Sequence, residues 1–176
     1  MRKILLAAAL LLTFAASAAP VAAQTAAAAP DAEREAVMAV VTRLFDAMRQ
    51  GDTAMLRSTF HPEARMATAA VRNGTPMLHL EGVDGFATAL GGKPAEQVWD
   101  ERLYNEVVHI DGSLATVWTE YDFYLGDQFS HCGVDSFQLA KTADGWKIFS
   151  IADTRQREGC PKREGGAAGH DAHGAH

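Results

Sequence analysis

Between Glu96 and Arg155 the chain reads as four long strands joined by hairpin-length turns, and this run leaves few folds open. The strand-like stretches cover 97–110, 113–125, 128–141 and 146–155. Their connectors are Asp111-Gly112, Gly126-Asp127 and Thr142-Ala143-Asp144-Gly145. Each holds the Gly, Asn or Asp residues that tight turns require. Strands linked by such short turns must pair as antiparallel neighbours, so this half predicts a meander.

The residues upstream carry a helical period. Asp31 suits an N-cap, and Glu33 and Glu35 favour a helix start. Val37, Val40, Val41, Leu44, Phe45 and Met48 then form one apolar stripe, which Gly51 ends. Asp52 caps a short second helix with Met55 and Leu56, which breaks at Phe60-His61-Pro62. In the segment 65–81, Asn73-Gly74 signals a hairpin. Asn73-Gly74-Thr75 also matches a glycosylation sequon, but the turn accounts for these residues without it. A third helix is expected over 83–90, with Phe86 and Leu90 on one side and Gly91-Gly92 at its end. Helices first and long strands after them predict an α+β domain, with the helices on one sheet face.

Both ends read differently. Arg2 and Lys3 precede an apolar run, residues 4–16, that is too short to span a bilayer. Small residues follow, with possible cleavage sites after Ala18 and Ala23, the second preferred. Residues 1–23 are therefore expected to be a secretory signal peptide, with a retained anchor as the alternative. Residues 24–30 form an Ala-rich linker, the domain spans 31–160, and 161–176 reads as a disordered Gly/Ala/His tail. This places the protein in the periplasm or outside the cell, without membrane attachment once the signal is removed. The net charge of −6 and the lack of a basic stripe exclude a typical nucleic-acid partner.

Cys132 and Cys160 are the two cysteines. An even count in an exported chain favours a disulfide, and two free thiols are the alternative. Zinc binding by this pair alone lacks the usual close spacing. In the tail, His170, His173 and His176 are weak candidates for a metal site. Phosphate loops, GxSxG and HExxH motifs are missing from the sequence, and no cofactor is expected.

Certain segments resemble a known superfamily. The run from Phe45 to Asp52 (FDAMRQGD), then Phe60 to Arg65 (FHPEAR), and the closing Gly145-Trp146-Lys147-Ile148, are similar to NTF2-like (SnoaL-like) proteins. The likeness covers residues 31–155. The segments around Cys132 and Cys160 resemble an exported bacterial branch labelled NTF2-like or "putative lumazine-binding", of unassigned function. The resemblance implies a cone: three N-terminal helices packed on a strongly curved antiparallel sheet, with a pocket at the wide end. It also implies a homodimer through the outer sheet face. Members include isomerases, dehydratases, hydrolases and non-enzymatic binders, so the fold leaves the function open.

Pairing the strands through their turns sorts side chains onto faces. Two-residue turns set Asp122 opposite His131, Asn105 opposite Trp118, Phe137 opposite Ser150 and Leu139 opposite Ile148. The expected pocket face then carries Trp118, Phe137 and Ile148 with Asn105, Asp122, His131 and Asp135. Phe45 and Met48 reach it from the first helix. A bulge would invert part of this assignment. Such walls suit a small hydrophobic or aromatic ligand. Asp122 could orient His131 and raise its pKa for acid–base chemistry, with Asp135 assisting. The commoner role of an Asp–His pair near a hairpin end is a solvated structural contact. The readings are thus a ligand-binding domain, an acid–base enzyme of the same fold, or a dimeric interaction module without ligand. The second face is also apolar, and its exposure on a monomer supports the dimer.

Overall fold

The computed structural model describes residues 31–163. The signal peptide, the linker, and His170, His173 and His176 lie outside the described residues. Helix α1 (Asp31–Gln50) is followed by α2 (Thr53–Thr59), β1 (Phe60–Arg72), β2 (Thr75–Gly82) and α3 (Val83–Gly92). Strands β3 (Trp99–Asp111), β4 (Leu114–Leu125), β5 (Gln128–Thr142) and β6 (Gly145–Thr154) complete the domain.

The helices form where the sequence pattern requires. Val37, Val41, Leu44, Phe45 and Met48 are buried along one side of α1. Asp52 caps α2 by accepting from the Ala54 and Met55 amides at 3.0 and 2.8 Å. Asn73 and Gly74 take φ of 52° and 77°, the left-handed pair of a two-residue hairpin turn. Helix α3 runs through Gly91-Gly92 rather than stopping before them.

The strands make one sheet in the order β2-β1-β6-β5-β4-β3. The meander β3 to β6 is antiparallel throughout. The sheet as a whole is mixed, because β1 runs parallel to β6. Turn chemistry fixes only strands adjacent in sequence, and this long-range pair is the one parallel pairing among the described residues, in an otherwise antiparallel sheet. The inner face and the helices enclose a core of Leu44, Leu56, Leu90, Val117, Phe137, Leu139 and Ile148.

Bulges bend the meander and decide which side chains face inward. The β4–β5 register starts as expected, with Leu125 opposite Gln128, then slips so that Phe123 faces His131 and Asp122 faces Cys132. The β3–β4 turn centres on Gly112-Ser113, which pairs Val107 with Trp118. That register slips again at Asn105, whose φ is 56°. In β5–β6, Leu139 meets Ile148 as expected, but a slip then pairs Phe137 with Ile151 instead of Ser150.

Beyond β6 the chain crosses the outer face. Gln156 and Cys132 exchange backbone hydrogen bonds of 3.0 and 2.9 Å, and Cys132 and Cys160 form a disulfide. Arg163 lies 4.1 Å above the Tyr104 ring and pairs with Glu120 and Asp122.

Candidate functional site

The inner face opens into a cavity of about 440 Å³ between the helices, β1–β2 and the lower halves of β3 to β6. That volume lies within the usual range for a small-molecule site, roughly 300–1,000 Å³. Aromatic rings build much of its wall. Phe45 meets Phe137 edge-on at 6.1 Å, Phe86 stacks with Trp99 at 6.4 Å, and Phe123 stands edge-on to Trp99 at 6.4 Å.

Polar groups converge from three strands. Glu101 on β3, Asp135 on β5, and Asp153 on β6 all line the cavity, as does Arg155 just beyond β6. Asp153 is fully engaged: Thr68 donates to its Oδ1 at 2.6 Å and Arg155 Nε to its Oδ2 at 2.7 Å. Asp135 is 4% exposed, and among the described residues no N–H or O–H group of the protein satisfies its buried Oδ2. Glu101 is half-buried.

Burial pushes the Asp135 carboxyl up to about 7, although its hydrogen bond with Glu101 works against this. Burial and the nearby Asp135 charge also hold Glu101 well above the usual carboxylate range. Each carboxyl disfavours ionisation of the other, so the two titrate as a coupled pair. Burial, followed by the Glu101 charge, likewise raises the Tyr121 phenol, whose hydroxyl donates to the Thr154 carbonyl at 2.8 Å.

His131 sits against two rings, 4.9 Å from Phe123 and 5.7 Å from Tyr121. Its Nδ1 is 3.0 Å from the Ser130 hydroxyl. Burial and then the Arg155 charge lower it to about 4. It is therefore a neutral imidazole at pH 7, the reverse of the raised pKa expected from a carboxylate partner.

Among the sequence candidates, Phe45, Met48, His131, Asp135 and Phe137 share this cavity. Asp122 does not. The slip near Ser130 turns it to the outer face, where it is buried beside Arg163 at 3.5 Å. The Asp122–His131 pair is thus overturned by one inserted residue. Trp118 also faces outward and is 54% exposed. Asn105 occupies the β3 bulge and does not line the cavity. Ile148 is fully buried in the core rather than in the cavity wall.

Sequence reasoning missed Glu101, Asp153 and Arg155. The signal was present: Trp99, Glu101 and Leu103 alternate, as do Ile151, Asp153 and Arg155, which sets acids among inward apolar positions. Among the described residues no group of three His, Cys, Asp or Glu side chains is arranged to hold a metal ion. Nor is any helix there long and apolar enough to cross a membrane.

The family model described as "Putative lumazine-binding" matches residues 32–152. No match to the chain emerges among curated proteins. An NTF2-like protein of unknown function from Shewanella baltica is 16% identical, covers 73% of this chain and 98% of its own, and superposes with a TM-score of 0.56. A crystal structure titled as a putative dehydratase of the NTF2-like family, from Streptomyces avermitilis, is 22% identical, with coverages of 73% and 99% and a TM-score of 0.57. The Kfla4162 protein of Kribbella flavida is 19% identical, with coverages of 72% and 93% and a TM-score of 0.58. At these identities the likeness concerns the fold.

Proposed function

The chain belongs to the "putative lumazine-binding" family and has an NTF2-like fold, and from that premise we propose that it binds a small, flat hydrophobic or aromatic molecule in its cavity. The observation that carries this reading is the aromatic-walled cavity of about 440 Å³ with a buried, unsatisfied carboxyl inside it. A buried polar atom without a protein partner costs stability, and a ligand donor is the natural compensation. The family description names a flat bicyclic heterocycle, whose shape suits these walls. We place the protein in the periplasm or outside the cell, a reading supported by the Cys132–Cys160 disulfide and the signal-like N-terminus.

A thermal-shift screen of flat heterocycles tests the binding, with Ala67→Trp as the control. Ala67 lines the cavity, and an indole there would fill it. Ligands are expected to raise the melting temperature of the native protein and not of the variant. Equal shifts in both, or none in either, would remove the cavity as the binding site.

A further inference from the structure

Glu81, Glu101, Asp135 and Asp153 contribute four carboxyl groups to the cavity lining, against one permanently cationic side chain, Arg155. Arg155 is already ion-paired with Asp153. The two histidines of the lining do not reverse this balance. His131 is neutral at pH 7, and His79 stands at the exposed rim on β2. The lining thus holds more carboxyl groups than cations, although burial favours the protonated forms of Asp135 and Glu101, and aromatic rings wall it.

We propose that the cavity selects organic cations: flat nitrogenous bases that are protonated when bound, in preference to neutral or acidic molecules of the same shape. This rests on the ligand-binding reading above and adds its charge class. Two independent features converge on it. Trp99, Phe86 and Phe123 line the cavity, and a ring quadrupole attracts a cation seated over its face, most strongly where water is excluded. The Glu101–Asp135 pair then offers an acceptor to a ligand N–H, since no donor among the described residues reaches Asp135 Oδ2. An anionic ligand would meet these carboxyl groups with like charge, and a neutral hydrocarbon would leave Asp135 unsatisfied.

The test is calorimetric titration of the purified protein with three bicyclic probes of matched size at neutral pH: 4-aminoquinoline (a cation), 1-naphthol (neutral) and 1-naphthoate (an anion). The expected order is the cation about tenfold or more tighter than naphthol, with naphthoate weakest; tenfold corresponds to about 1.4 kcal/mol. Asp135→Asn and Glu101→Gln should each erase most of the cation's advantage over naphthol, with an unchanged circular dichroism spectrum and a cooperative thermal transition showing that the variants are folded. Equal affinities for the three probes, or tightest binding of naphthoate, would overturn the charge preference and leave the binding reading standing. Binding of none of them removes both.

Discussion

Gly133 and Thr154 approach so closely that a β carbon on Gly133 would stand 1.9 Å from the Thr154 carbonyl oxygen and 2.8 Å from the Tyr121 ring. The same carbonyl accepts the Tyr121 hydroxyl at 2.8 Å. One missing side chain therefore lets β5 and β6 close beside the cavity wall. Gly133→Ala must push backbone apart, and overpacking of this kind costs about 1–3 kcal/mol. Chemical denaturation should show that loss. Gly92→Ala, where a β carbon meets nothing within 4 Å, should be neutral or slightly stabilising.

The disulfide acts at the same edge. Cys132 follows the cavity residue His131, and its backbone partner Gln156 follows Arg155. The bond closes a separation of 28 residues, which by the chain-entropy model is worth about 3.5 kcal/mol. Cys160→Ser, or reduction of the native protein, should lower stability by roughly that amount in a urea titration. Because the tie reaches both His131 and Arg155, ligand affinity should weaken with it. An unchanged midpoint after complete reduction would show that the described strap contributes nothing.

Much of the fold was legible because it depends on local patterns. The α1 stripe, the Asn73-Gly74 turn and the four meander strands follow from period and turn chemistry, as does Leu139 opposite Ile148. The site was not legible in the same way, because facing depends on counting residues and a bulge adds one. At Ser130 and Asn105 the count slips, so Asp122 and Trp118 leave the inner face while Tyr121, Phe123 and Glu101 enter it. Neither bulge has a glycine to announce it, since the left-handed position in β3 is filled by Asn105. The β1–β6 pairing joins strands far apart in sequence, and no turn encodes it.

The outward turn of Trp118 bears on assembly. It is 54% exposed, and its cross-strand partner Val107 is 47% exposed. Leu114, on the same side of β4, is 49% exposed. An apolar strip along a sheet face favours a partner, and we expect a homodimer through it. Light scattering should give twice the chain mass, and Trp118→Arg should shift the protein to monomer without lowering ligand affinity, since Trp118 lies outside the cavity. A monomeric native protein at micromolar concentration would rule this interface out.

The buried acids and His131 pull stability in opposite directions with pH. Asp135 moves from 3.8 to about 7 on folding, so the native state holds a proton that the unfolded chain releases between these values. Stability from this group is greatest at low pH and is lost as pH rises through about 7. Glu101, also raised, adds to the loss. His131 moves from 6.5 down to about 4, so its contribution is present above 6.5 and is lost as pH falls toward 4. The carboxyl pair and the imidazole oppose each other between about pH 4 and 6.5, and above 6.5 only the loss from the pair remains, so the contribution of these groups should fall as pH rises through 6.5 toward 7. Asp135→Asn should flatten that fall, and His131→Gln should steepen it below pH 6.5. Urea titrations of the three proteins across this range measure both slopes. Parallel curves would mean that the carboxyl pair is solvated and ionised in the folded protein.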